Sequence, residues 1–166
     1  MTTGKLRWEV QPLVGFGPLL LGMTSAQVAA FDEQIGAVVF VDDMFGVRGE
    51  HRPYYTPSCS FQDDRLNSID TNANERIGVL IDGIDVFATP PRALLAHLAE
   101  KNGGAALSHG AVVFAKLGIV TGGFYIDKEY RYYDPASREQ DDRTLAVYDK
   151  DAFVRYIENI APFALP

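Results

Sequence analysis

Cysteine is almost missing from this chain: Cys59 is the only one in 166 residues. No intrachain disulfide can form and no C-x-x-C metal or redox pair exists, which fits a reducing compartment. Histidine is scarce as well. His51, His97 and His109 are widely spaced and form no H-x-x-x-H or H-E-x-x-H unit, so no metal site is expected. Long apolar runs are absent. Stretches such as AVVFV at 37–41 are far too short to cross a bilayer, and the opening MTTGKLRWEV lacks the apolar core of a secretory signal. A cytoplasmic protein away from membranes is the expectation. Basic residues are outnumbered, 15 against 22 acids, for a net charge of −7. That balance argues against nucleic acid, whose phosphates need clustered Lys and Arg. It leaves room for a basic protein partner, because complementary fields speed encounter.

Motifs for covalent or phosphate chemistry are missing too. There is no G-x-S-x-G, and Cys59 has no histidine beside it. GFGPLLLG at 15–22 is not G-x-G-x-x-G, and no Lys-Ser/Thr pair follows its glycines. The paired acids Asp42-Asp43, Asp63-Asp64 and Asp141-Asp142 sit in no D-x-D-x-D-G loop, and neighbours on a strand point to opposite faces. We expect no cofactor and no catalysis.

What is present reads as secondary structure. Leu6, Trp8 and Val10 alternate with charged neighbours, as in a half-buried strand. A Gly- and Pro-rich bend follows. Thr24 and Gln27 then make a T-x-x-Q capping box. Met23 and Val28 have the spacing of a hydrophobic staple. Val28, Phe31 and Ile35 recur at helical spacing, and Gly36 is the natural stop. AVVFV predicts a strand directly after that helix. RIGVLIDGIDVF at 76–87 predicts two short strands, or one bent at Asp82-Gly83. Thr89 as cap and Pro90 as first residue predict a second helix with Leu94, Leu95 and Leu98 buried, ended by NGG at 102–104. Residues 111–126 predict a hairpin turned at Leu117-Gly118 or at Thr121-Gly122-Gly123, and 144–149 a further strand. A last helix is expected from Asp149, carrying Phe153, Ile157 and Ile160 and ending at Pro162.

The expected fold is therefore α+β, one domain with an antiparallel sheet packed by about three short helices. Two half-repeats, 5–75 and 76–166, are suggested. LLLGMTSAQVAAFDEQIG followed by AVVFV parallels DVFATPPRALLAHLAEKNGG followed by AVVFA.

The corner GFGPLLLGMTSAQVAAF at 15–31 resembles a bacterial pattern, G-x-G-P-[hydrophobic]-x-L-G-M-[ST]-x-x-x-V, of small cytoplasmic proteins. GIDVFATPPRALLAHL at 83–98 looks more loosely like the middle of the same set. Some of those proteins look like immunity partners of secreted toxins. A related GMT-x-x-x-V helix start occurs in the outer-membrane-assembly small lipoproteins and the β-lactamase-inhibitor-like fold, which act by binding proteins. The lipobox cysteine and signal are lacking here, so no membrane role transfers, and no functional residue carries over.

Residues 32–64 hold seven acids and two bases, −5 of the total −7, among Phe40, Phe45, Tyr54, Tyr55 and Phe61. Aromatics anchor interfaces and acids steer a basic partner. The expected contact residues are Asp42, Asp43, Glu50, Tyr54, Tyr55, Asp63 and Asp64, on an immunity-type inhibitor that occludes a basic toxin. The chain itself would be a monomer or weak homo-oligomer. A rival reading is a small enzyme or ligand-binding protein with a tyrosine-lined pocket at His51, Tyr132 and Tyr133. A third, a homo-oligomer subunit, would show an exposed apolar sheet edge.

Overall fold

In the computed structural model, residues 4–53, 57–157 and 159–166 are described. The chain opens with β1 (Leu6–Gln11), β2 (Gly15–Phe16) and β3 (Leu19–Leu20), then α1 (Ser25–Ala29) and α2 (Asp32–Ile35). A four-stranded run follows: β4 (Phe40–Met44), β5 (Val47–His51), β6 (Ser58–Gln62) and β7 (Arg65–Asn72). After β8 (Ile77–Ile81), β9 (Ile84–Asp85) and α3 (Pro91–Asn102) come β10 (Ala105–Ser108), β11 (Ala111–Phe114) and β12 (Ile119–Gly122). A small ribbon, β13 (Tyr125–Ile126) with β14 (Arg131–Tyr132), precedes β15 (Thr144–Tyr148), α4 (Lys150–Tyr156) and β16 (Ala161–Phe163).

The fold is α+β. Its main sheet runs β16-β10-β11-β12-β15-β7-β6-β5-β4, antiparallel throughout. A smaller sheet, β3-β2-β1-β8-β9, is joined at its centre by a parallel pairing of β1 with β8, which was not expected. The order of elements in 5–72 is matched in 77–148: a strand that enters the small sheet, a helical segment, then an antiparallel meander in the large one. The two meanders meet at β7 and β15. Among the described residues no helix is long and apolar enough to cross a membrane.

Alternation in β6 and β7 divides the large sheet into two faces. Cys59, Phe61, Leu66 and Ile69 point into the core, while Ser58, Ser60, Ser68 and Asp70 line the other face. The core lies between this sheet, the small sheet and α1–α3, around Trp8, Phe16, Val28, Ile35, Ile81, Leu94 and Phe114. The opening corner is held by Trp8, whose ring meets Phe16 edge-on at 5.4 Å. Gly17, at φ +55°, lies against that ring so closely that a Cβ would collide with it.

Local signals placed several elements. Thr24 and Gln27 form both capping-box bonds, 3.2 and 2.9 Å. Gly36 ends α2 at φ +84° and Gly103 ends α3 in the left-handed region. Asp82 and Gly83 form the β8–β9 turn, both at positive φ, and the later hairpin turns through Leu117-Gly118. Asp149 caps α4 by accepting from the Ala152 N–H at 2.6 Å.

Four expectations need correction. The first helix is two, α1 and α2, so the described residues hold four α-helices. The second helix starts at Pro91 with Pro90 as its cap, because a residue preceding proline is pushed to extended ψ, here 131°. The last helix stops at Tyr156, since Ala161–Phe163 is drawn out to pair with β10. The strand expected at 37–41 begins at Phe40, and its apolar side chains face solvent instead of the core.

Candidate functional site

The site is built on β4–β7, at one end of the large sheet. The β4–β5 turn consists of Phe45 at φ +55° and Gly46 at φ +80°. Positive φ at both central residues is the type I′ geometry whose twist suits a two-residue hairpin. It fixes the register: Asp42 opposite Gly49 and Phe40 opposite His51. Asp42 therefore lies diagonal to His51 on one face, and the two meet, His51 Nε2 to Asp42 Oδ2, at 3.0 Å. Gly49 permits this contact. A Cβ there would overlap Asp42 Oδ1 and stand 3.1 Å from His51 Nε2.

The other imidazole nitrogen, His51 Nδ1, lies 3.3 Å from Ser58 Oγ. With Nε2–H donating to Asp42, Nδ1 accepts from the Ser58 hydroxyl, a Ser–His–Asp chain of hydrogen bonds. Asp70 sits directly across from Ser58 on the same face. The residue is exposed as a whole, but crowding of its carboxyl raises it to about 6, with His51 pulling it back. Tyr148, opposite Ser68, is also raised, first by burial and then by Asp70.

Next to this chain lies an open groove of about 380 Å³. Met44, Phe45 and Val47 form its lip, and Gly49, Ser60 and Ser68 lie along it with Asp42 and Tyr148. Asn67 also lines it, by virtue of an irregularity in β7: Ser60 pairs with Ser68 but Phe61 with Leu66, leaving Asn67 as an extra residue. Such bulges re-aim a side chain out of the regular alternation. Asn67 is 4% exposed, and among the described residues neither its amide nitrogen nor its amide oxygen has a partner.

The margin beyond the groove is apolar and open. Among the described residues β4 pairs only with β5 and ends the sheet. It carries Phe40 and Met44 at 59% and 62% exposure, preceded by Val39 at 67% and followed by Phe45 at 94%. At the opposite end of the sheet, β10 is covered by β16.

The residues expected to form one acidic surface do not come together. Asp42 is on the groove face and engaged with His51, while Asp43 lies on the opposite face, in register with Arg48. Glu50 must be withdrawn as a contact residue. It is 5% exposed and held between Arg48, at 3.0 Å, and Arg52, at 3.8 Å, beside the buried Cys59. Burial pushes that thiol up to about 12, so Cys59 is a packing residue. Asp63 and Asp64 form the β6–β7 turn at φ +51° and +53°. Asp64 accepts from both the N–H and hydroxyl of Ser25, at 3.0 and 2.7 Å, which ties the turn to α1 and lowers its carboxyl. Tyr54 and Tyr55 lie outside the described residues.

The tyrosines of the rival pocket are engaged in other contacts. The Tyr132 hydroxyl donates to the Pro166 carbonyl at 2.7 Å and its ring packs on Tyr125. Tyr133 is buried under the Arg143 guanidinium, 4.2 Å from its ring centre. The tyrosine of the groove near His51 is Tyr148. His97 joins Lys101 on Asp82, fastening α3 to the β8–β9 turn, and His109 forms the β10–β11 turn with Gly110. No group of metal-binding side chains occurs among the described residues. Comparison of the chain with family models, with curated proteins and with solved structures finds no match.

Proposed function

We propose that this chain is a cytoplasmic protein-binding module that takes a basic partner along the β4 margin. Its concrete form is an immunity-type inhibitor that covers the active site of a basic toxin. One observation carries the reading: Phe45 is a bulky residue in left-handed backbone with its ring 94% exposed. Both features cost free energy, and neither is offset by a contact with the described residues. The open edge beside it adds unpaired backbone groups and further apolar area, the usual marks of an interaction surface. Asp42 and Asp43 on the same strand, in a chain of net charge −7, select a basic partner.

The exposed apolar edge is also the sign expected of a homo-oligomer subunit, but its charge disfavours a second copy. Antiparallel self-pairing of β4 about its midpoint sets Asp42 opposite the same residue of the copy, and directly opposed like charges destabilise a sheet.

The test is capture from source-organism lysate at low salt, with wild type and Phe45→Ala as baits. The expected result is one stoichiometric basic protein, released as salt rises and absent with the variant at unchanged stability. Equal capture by both baits, or no partner at any salt, removes the reading.

The Ser58–His51–Asp42 chain favours a second reading, a small hydrolytic enzyme with Ser58 as nucleophile. Labelling of Ser58 by a fluorophosphonate, lost in His51→Ala, would establish it. An unlabelled Ser58 leaves the chain as a polar brace between β4, β5 and β6.

A further inference from the structure

We infer that the groove beside β4 seats a guanidinium side chain, an arginine of the basic partner; the inference rests on the binding-module reading. The lining decides the ligand's charge. Asp42 contributes a carboxylate, no basic residue lines the groove among the described residues, and Asp70 adds a second acid on the same sheet face. Asp42 holds His51 with Oδ2, and its Oδ1 lies over Gly49, which is itself part of the lining.

The polar groups decide its shape. Ser60 and Ser68 offer hydroxyl acceptors, and the Asn67 amide oxygen is an acceptor without a partner among the described residues. A buried amide left unpaired is costly, and natural folds keep few of them. An arginine head presents five N–H donors in a planar fork, able to meet a carboxylate and further oxygens together. Lysine offers three donors on a compact, strongly hydrated head and serves this spread of acceptors less well. The aromatic lining, Phe45 and Tyr148, suits the flat face of a guanidinium. The position suits a partner lying along β4, since Met44 and Phe45 belong to both groove and edge.

The experiment titrates the full ¹⁵N-labelled chain with N-acetyl-arginine methylamide and, in parallel, with its citrulline analogue. The analogue keeps length and shape and replaces the guanidinium with a neutral urea. Saturable shifts are expected at Gly49, Ser60, Ser68 and the Asn67 side-chain amide, with binding about tenfold weaker for the analogue. Asp42→Asn, at a half-buried position beside His51, should weaken the arginine probe by a similar factor. Absence of a saturable shift, equal response to both probes, or shifts confined to another surface overturns the inference. Failure of the probe while wild type still captures a Phe45-dependent partner removes the groove alone. Binding of the probe with no protein ever captured overturns the assigned source and leaves a site for a free guanidinium compound.

Discussion

Replacing Phe45 with Asn separates the fold from its surface. Left-handed backbone costs an L-residue with a Cβ about 1–2 kcal/mol, and Asn relieves much of that through its short polar side chain. Asn-Gly is also the favoured pair for a type I′ hairpin, where this chain has Phe-Gly. Burial returns almost nothing against this, because the Phe45 ring is 94% exposed and little apolar area leaves contact when it goes. Phe45→Asn should therefore raise stability by about 1 kcal/mol, or ~2–4 °C in Tm for a chain of this size. Thermal and urea unfolding of the two proteins measure the gain, and capture of the basic partner, which should be lost, measures the cost. Phe45→Ala is the control: it keeps a Cβ in the left-handed region, so it should lose the partner without the gain. A Tm below that of wild type in Phe45→Asn would mean that the ring packs within the fold, and the argument that it serves a partner would collapse.

The other predictions concern charge, pH and the lone thiol. Asp43→Lys should slow association with the basic partner and flatten its salt dependence while leaving Tm within ~1 °C, since exposed ion pairs contribute about 0–1 kcal/mol; stopped-flow rates unchanged across a salt series would remove the steering argument. Asp70 is held at about 6, above the ordinary carboxylate range, so the folded state binds its proton more tightly than the unfolded chain. Its contribution is complete below about pH 4 and is lost as pH rises through about 6; Asp70→Asn should make the urea midpoint fall less over that interval, and parallel profiles would refute the assignment. Cys59, with its thiol pushed up to about 12, should resist iodoacetamide at pH 8 until denaturant unfolds the protein. Labelling in buffer at the rate of a free cysteine would show that its burial is transient.

Where the sequence was legible, the cause was local. Thr24 with Gln27, Gly36, Asp149 and Asp82-Gly83 act through bonds or backbone angles within a few residues, so their neighbours in sequence suffice to read them. The shift of α3 by one residue was readable in principle, because Pro91 constrains Pro90. AVVFV failed for a different reason. Its composition fits a buried strand, but only the order of the whole sheet decides that β4 is an edge. The last helix was overruled in the same way by β16. At the site, Asp42 and His51 are nine positions apart, and their meeting depends on the turn between them. With Asn-Gly at 45–46 the register could have been written down in advance; Phe-Gly gives no such signal. Ser58 and Asn67 left no signal at all, since one depends on pairing to β5 and the other on a one-residue irregularity in β7. Glu50 was misplaced because charge in a mixed segment says nothing about which face of a strand holds it.

The two ends of the large sheet make the case for an external partner. β10 and β4 are the first strands of their meanders, and each is followed by a two-residue turn at positive φ, His109-Gly110 in one and Phe45-Gly46 in the other. The chain closes one end itself: β16 pairs with β10 and places Phe163 5.1 Å from the Tyr125 ring. At the other end the corresponding positions stay open, and there Val39, Phe40, Met44 and the apolar turn residue Phe45 are exposed. An edge strand left flat and apolar invites uncontrolled pairing, and soluble proteins suppress it with charge, proline or a covering segment. Here the suppression is partial: Asp42 and Asp43 would oppose a second copy of the strand and, on the proposed reading, would attract a basic segment. On the proposed reading, charge would filter which strand can add, while Phe40, Met44 and Phe45 would supply the apolar contact once the right one has.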